Sequence, residues 1–253
     1  MTHLRASQGA IGLWINLASP IATEVLAHIG FDFLVIDTEH SPTDTETLTQ
    51  MLQAMKGAAT APFARVAGND VNLIKRVLDT GVHGIVIPMI NTVADAQQAI
   101  ASCRYPPQGV RSVGGIRPPL SFGVTRAEYL AQANTQVLVA LQIEHTRALT
   151  NLEDIASLPG FDCLFVGPND LCASLGLPPL LEPDYPAYEE ALQRIVSVAR
   201  ATGKTAGILV GTLATAQKRW RQGFRLIACG SDISLLTTAA QATVAGARSF
   251  TNS

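Results

Sequence analysis

The sequence predicts an α/β fold in which eight parallel strands, each followed by a helix, close into a (β/α)8 TIM barrel. Three observations carry that expectation. Short β-rich runs alternate with longer helical patterns along the whole 253 residues, the order such a barrel requires. A weak repeat recurs where helices end: Gly30-Phe31-Asp32, Gly81-Val82-His83, Gly160-Phe161-Asp162 and Gly223-Phe224-Arg225 each precede an apolar run. Glycine makes the left-handed turn from helix to strand cheaply. A doubly wound open sheet shares the alternation, but Leu17-Ala18-Ser19-Pro20 stands where its Gly-x-Gly-x-x-Gly loop belongs.

The first strand is expected at residues 12–18, where Asn16 interrupts the apolar run and argues against a signal peptide. A helix over 21–29 leads to the second strand, 33–37, and a helix over 45–55. The third strand, 62–67, is followed by a helix at 71–78, and the fourth, 84–89, by one at 94–103. Residues 105–122, rich in Pro, Gly and Arg, break the rhythm. A loop this long is usually functional; Gly114-Gly115 could cradle an anion, and a lid or subunit contact fits equally. The remaining pairs are expected at 137–144 with 148–157, 163–167 with 188–201, 206–210 with 212–221, and 226–229 with 233–247. The whole chain, 1–253, reads as one barrel domain.

Composition narrows the function. Only 15% of residues are charged, 47% are hydrophobic, and the formal net charge is −2. Soluble domains average about 25% charged residues, so part of the surface is expected to be buried against another subunit. The last helix, 233–247, has no charged residue at all, so it should be covered by its own barrel and by something else. Disorder is excluded, and with no basic run neither is a nucleic-acid groove expected. No apolar run approaches the roughly 20 residues of a membrane span. Cys103, Cys163, Cys172 and Cys229 form no Cys-x-x-Cys pair and no zinc-like spacing. Reduced thiols and a cytoplasmic home are expected.

Barrel active sites lie at the C-terminal ends of the strands, and period-2 alternation tells which side chains point inward. In the fifth strand Leu138, Ala140, Gln142 and Glu144 share one face, while Val139, Leu141 and Ile143 form an apolar face for the helices. Gln142 and Glu144 therefore point into the mouth, where a carboxylate is costly unless paired or metal-bound. The sixth strand runs into Gly167-Pro168-Asn169-Asp170. Asp170 is either the cap of a turn at 171–175 or a second carboxylate beside Glu144. Two such carboxylates suit an octahedral Mg2+ or Mn2+ completed by water or substrate.

The second strand ends Asp37-Thr38-Glu39-His40, with Asp37 on the face of Phe33 and Val35. Three ionisable residues within four positions at a barrel mouth point to chemistry. Arg65 shares a face with Phe63 and Ala67. An inward guanidinium stays charged and needs an anion: a substrate carboxylate, a developing oxyanion, or a structural pair with Asp37 or Glu39. None of the four lysines, Lys56, Lys75, Lys204 and Lys218, falls at a strand's C-terminal end. Schiff-base chemistry is therefore not expected, and carbanion stabilisation would need a metal.

With these residues the sequence resembles the HpcH/HpaI aldolases, the metal-dependent class II pyruvate aldolases. The motifs are Phe-Asp-Phe-Leu-Val-Ile-Asp-Thr-Glu-His at 31–40, Arg65 with Asn69-Asp70, Leu78-Asp79-Thr80-Gly81, Val86-Ile87-Pro88-Met89, Tyr105-Pro106-Pro107-Gln108-Gly109-Val110-Arg111, Gln142-Ile143-Glu144, and Phe165-Val166-Gly167-Pro168-Asn169-Asp170-Leu171. The resemblance covers nearly the whole chain and implies a phosphoenolpyruvate/pyruvate-type barrel. It implies Glu144 and Asp170 as ligands of Mg2+, Mn2+ or Co2+, with Gln142, Gly167, Pro168, Asn169 and Arg65 around the substrate. It implies His40 as the base working through water, Asp79 of a neighbouring subunit tuning it, Arg65 stabilising the enolate, and Asp37 and Glu39 in support. A hexamer built as a trimer of dimers, with the last helix (232–250) crossing to a partner, follows from the same resemblance.

The implied reaction splits a 4-hydroxy-2-keto acid into pyruvate and an aldehyde, or runs in reverse. The alternatives are a CoA-ester lyase, a 2-keto-acid decarboxylase or synthase, or a non-catalytic keto-acid-binding barrel. Departures from the family pattern are Ser112 after the loop arginine, Asn169, His145-Thr146 after Glu144, and Thr38. They bear on the aldehyde partner.

Overall fold

The structure, a computed structural model, describes residues 9–181 and 183–251. Eight parallel strands follow one another around a closed barrel: β1 (Ala10–Ile15), β2 (Phe33–Asp37), β3 (Ala61–Arg65), β4 (Gly84–Ile87), β5 (Leu138–Ile143), β6 (Cys163–Val166), β7 (Thr205–Val210) and β8 (Leu226–Ser231). The predicted fold class is thus observed. Alternation sorts the side chains. Trp14, Phe33, Val35, Phe63, Ala140 and Phe165 fill the barrel interior, while Leu34, Ile36, Ile85, Val139, Leu141 and Ile143 join the larger core under the helices.

The helices between strands start where side chains satisfy their free N–H groups. Asp44 caps α2 (Thr45–Ala54), Asp70 caps α3 (Val71–Asp79), and Thr92 with Asp95 forms a capping box on α4 (Val93–Cys103). Ser19 caps the earlier α1 (Pro20–Ala27). The segment 105–122 is not the structureless loop that its composition predicts. It contains α5 (Arg117–Phe122), and α6 (Arg126–Gln136) follows, where no element was expected. Pro118 and Pro119 lie in the first turn of α5, where proline's missing N–H costs nothing. The helix α6 buries only Tyr129 and Ala133, so its apolar stripe is too thin to read, and its signature is the Thr125/Glu128 capping box.

Three further differences concern the second half. The stretch 148–157 is two helices, α7 (Thr146–Thr150) and α8 (Leu152–Ser157), divided at Asn151. A helix, α9 (Pro168–Ser174), replaces the expected turn at 171–175; Gly167 is its N-cap, and Asp170 sits within its first turn rather than capping it. After α10 (Pro186–Ala201) and α11 (Leu213–Gln222), the last helix, α12 (Asp232–Thr251), leaves the barrel. Its own barrel was expected to cover one side. Instead, among its described side chains Asp232 alone is buried, and Ile233, Leu235, Leu236 and Val244 are exposed. Among the described residues no helix is long and apolar enough to cross a membrane, Cys103, Cys163 and Cys172 are buried free thiols, and Cys229 is partly buried.

The excursion 104–137 joins the C-terminal end of α4 to the start of β5 and so lies at the end of the barrel opposite the strands' C-termini. There the Phe122 ring leans on His83, centroids 4.1 Å apart. Burial pushes the imidazole from its ordinary 6.5 down to about 4. The unfolded chain therefore takes up this proton first. The stability contributed by neutral His83 is complete above about pH 6.5 and is lost as pH falls toward 4. Urea midpoints are expected to drop between pH 7 and pH 5, and to drop less in His83→Gln; equal drops would place the effect elsewhere.

Candidate active site

The strands' C-terminal ends surround a cavity of about 270 Å³ whose walls include Trp14, His40, Arg65, Gln142, Asn169 and Asp170. Asp37 and Arg65 are register partners on β2 and β3, so their side chains emerge side by side on the inward face. Arg65 donates from Nε to Asp37 Oδ1 at 2.9 Å and from Nη2 to Oδ2 at 2.6 Å. Its third nitrogen, Nη1, lies 3.0 Å from Glu39 Oε2, and its guanidinium sits 5.0 Å over the Trp14 ring. Burial alone would raise the Asp37 carboxyl, but the hydrogen bonds and charge of Arg65 outweigh it and hold it below the usual carboxylate range. The structural pairing expected for Arg65 is therefore present, and Arg65 also reaches the cavity wall.

Asn16, which also lines this cavity, donates from Nδ2 to Asp37 Oδ2 at 3.2 Å. Its own position is fixed from the far end of the chain. The buried Asp232 carboxylate, at the start of α12, accepts from the backbone N–H groups of Asn16 and Leu17, each at 2.9 Å, and of Ile233 at 2.8 Å. Trp14 and Asn16 were not singled out from sequence. The inward series Gly12, Trp14, Asn16 on the first strand is the signal that would have found them.

The ends of β5 and β6 bring two more carboxylates to this region. Glu144 follows β5 directly and is buried. Its Oε1 accepts from the Met89 backbone N–H at 2.7 Å, and its Oε2 accepts from Gln142 Nε2. Both donors are neutral. Burial pushes the Glu144 carboxyl up despite those two hydrogen bonds, and repulsion from Asp170 and Glu39 adds to it. Glu39 is likewise pushed up by burial. Gly167 is glycine for a local reason: a Cβ there would run into the Glu144 carboxylate and the Gln142 amide. Asp170 is exposed in the first turn of α9. The Gln142 Oε1 is buried with no hydrogen-bond partner among the described residues.

These features fit a hard cation. The Glu144 and Asp170 carboxylates are close enough to repel each other, and among the described residues the buried one has no cationic partner and the Gln142 amide oxygen beside it has no hydrogen-bond donor. Among the described residues no three His, Cys, Asp or Glu are grouped to hold a metal. A cation at Glu144 and Asp170 would therefore complete its shell with water or substrate.

His40 is exposed and lines the cavity, with its backbone N–H 3.4 Å from Asp37 Oδ1. Asp79 does not join this cluster in its own chain. It ends α3, at the other end of the barrel, and pairs with Arg111 at 2.9 Å. His145 caps α7 and accepts from Arg147 N–H through Nδ1. Lys204 enters β7 at the end away from the mouth and donates to the Phe161 carbonyl.

Comparison with known proteins identifies the family. The sequence profile described as HpcH/HpaI aldolase/citrate lyase matches residues 10–239. The 5-keto-4-deoxy-D-glucarate aldolase of Shigella boydii serotype 18 is 43% identical over 238 residues, covering 94% of this chain and 91% of that one. Its counterpart from Escherichia coli O6:H1 is 42% identical over 94% of this chain and 92% of its own. The crystal structure of an HpcH/HpaI aldolase/citrate lyase family protein from Burkholderia cenocepacia superposes with a TM-score of 0.90 at 36% identity, covering 98% of each chain. By profile, sequence and fold together, the chain belongs to the HpcH/HpaI aldolase/citrate lyase family.

Proposed function

We propose that this protein is a divalent-metal-dependent carbon–carbon lyase that cleaves 4-hydroxy-2-keto acids to pyruvate and an aldehyde, and that it runs the condensation in reverse. The observation that carries the reading is the gathering of Asp37, Arg65, Gln142 and Asp170 around one cavity at the strands' C-terminal ends, with Glu144 buried beside Gln142 and close enough to Asp170 to feel its charge. The sugar-acid aldolases at 42–43% identity support the same reaction class. The cavity of about 270 Å³ lies just below the roughly 300–1,000 Å³ usual for ligand pockets, which suits a keto acid better than a CoA ester.

Glu144 and Asp170 would hold Mg2+, Mn2+ or Co2+, which when bound supplies Lewis-acid stabilisation of the charge that develops on the keto acid. Gln142, Gly167, Pro168 and Asn169 form the wall for the substrate's keto-acid end. His40 takes the proton of the C4 hydroxyl through water. The C3–C4 bond then breaks, its electron pair passes to C3, and the aldehyde departs. Arg65 stabilises the resulting enolate oxygen, and protonation at C3 releases pyruvate.

Pyruvate release from a 4-hydroxy-2-keto acid, with and without exhaustive chelation, tests the reading. Full activity after chelation, or binding without turnover in the presence of Mn2+, would overturn it. His40→Ala is expected to lower kcat about 10²- to 10⁴-fold while pyruvate still binds. An unchanged kcat would assign the base elsewhere.

The uncovered last helix supports an obligate oligomer, with residues 232–250 packed on a partner barrel and a trimer of dimers as the closed form. Leu236 is 61% exposed and Leu235 50% within one chain, too apolar for a helix that ends in water. In such an assembly Asp79 of one subunit would meet His40 of another, which accounts for a motif residue that lies far from its own cavity. Light scattering is expected to show a multiple of 26.8 kDa, and truncation before Ser231 to give insoluble or inactive protein. An active monomer at micromolar concentration would refute both the shared helix and the shared site.

A further inference from the structure

The chain leaves β4 at Ile87 and turns through Pro88, Met89 and Ile90. Met89 has φ of 56°, the one non-glycine residue among those described with a positive φ. A side chain in that region crowds the neighbouring carbonyl, which is why glycine and, less often, asparagine occupy it. Such backbone persists only where the surroundings over-determine it, and here they can be named. Ile90 is fully buried, and its N–H donates to the Gln142 carbonyl at 3.3 Å. Asn91 donates from its N–H to Asp95 at 3.1 Å, and its carbonyl accepts from the Asn151 amide at 3.0 Å. Proline fixes the residue before. The Met89 side chain is 47% exposed and adds nothing to the core. What the left-handed turn does achieve is to aim the Met89 N–H at Glu144 Oε1, at 2.7 Å.

We propose that Met89 is a positioning residue for the cation site, acting through its backbone: the left-handed turn, with Gln142 Nε2 on the other oxygen, fixes the plane in which Glu144 presents its carboxylate. This rests on the reading of Glu144 as a cation ligand. Each carboxylate oxygen uses one lone pair on a protein donor and keeps another for the cation. The partners that orient a ligand set affinity nearly as much as the ligand itself. The preference of residue 89 for the left-handed region, and not its side-chain chemistry, therefore sets how tightly the site binds.

The consequence inverts the usual ranking of substitutions. Isoleucine is close to methionine in size and apolarity, yet a β-branched residue is the least suited to this backbone. Glycine and asparagine resemble methionine least and suit it best. The test is a titration of the full chain with Mn2+, free Mn2+ being read by its electron paramagnetic resonance signal, for the wild type, Met89→Gly, Met89→Asn, Met89→Ile, Met89→Val and Glu144→Gln, each checked for fold by circular dichroism. Met89→Ile and Met89→Val are expected to weaken Mn2+ binding about 10-fold or more, while Met89→Gly and Met89→Asn stay within about 3-fold of the wild type. Wild-type affinity in both β-branched variants would overturn the proposal, as would equal weakening in Met89→Gly, which would assign the effect to the side chain. Should the β-branched variants fail to fold, the glycine and asparagine variants still decide it. Undiminished binding in Glu144→Gln would instead overturn the ligand reading, and this proposal with it.

Discussion

Replacing Arg65 with alanine is expected to lower kcat about 10²- to 10³-fold or more, because removing one preorganised donor to a developing oxyanion commonly costs that much and this donor is also charged. It is expected to destabilise the fold as well. Asp37 is fully buried, and stripping one partner from a buried ion pair costs about 3–5 kcal/mol. The two losses separate in the double variant Arg65→Ala/Asp37→Ala. Removing both charges should restore most of the melting temperature and none of the activity. Recovery of activity in the double variant would reduce Arg65 to a structural ion. Arg65→Lys should be poor on both counts, since one ammonium cannot reproduce the two-pronged contact with Asp37 and the reach to Glu39.

Glu144→Gln is expected to abolish turnover and cation binding while leaving the cation-free fold as stable as before or more so. The carboxylate is buried against two neutral donors, and an amide of the same shape is cheaper to bury. The orphan Gln142 Oε1 can accept the new N–H once its amide turns over. Thermal melts with and without Mn2+ read both effects. The wild type should gain about 2.7 kcal/mol at a cation concentration 100 times Kd, and the variant should gain nothing. A variant that keeps the Mn2+-dependent gain would place the cation elsewhere.

Alternation made much of this site legible in the sequence. A strand has only two faces, so an Asp37 or an Arg65 on the face of a phenylalanine must look into the barrel, and their neighbouring registers bring them together. The same rule fixed Gln142 and Glu144. It is blind past the strand ends. The helix at Pro168–Ser174 and the left-handed turn at Met89 are set by which backbone groups the neighbouring strands leave free, and no local pattern records that. The helices of the 104–137 excursion were missed for another reason. They bury few apolar residues, and their prolines read as breakers when they serve as helix starts. Asp79 came only from family resemblance, since a carboxylate at a helix end paired with an arginine carries no chemical signature of its own.

The Asp232 clamp on Asn16 has a consequence for how the protein is made. These residues are 216 positions apart, and at about 5–20 residues per second the ribosome needs about 10 to 40 s to pass from one to the other. Collapse of a chain of this kind takes microseconds, so β1, β2 and β3 pair long before their closing partner exists. The Asp37–Arg65 pair, 28 positions apart, belongs to this early product. Throughout that interval the free edge of β1 is an open template for other strands. A nascent chain arrested before β8 therefore already contains Asp37, Arg65, Glu144 and Asp170 but holds them in a sheet with an unsealed seam, and Asn16 at the end of the first strand is without its Asp232 clamp.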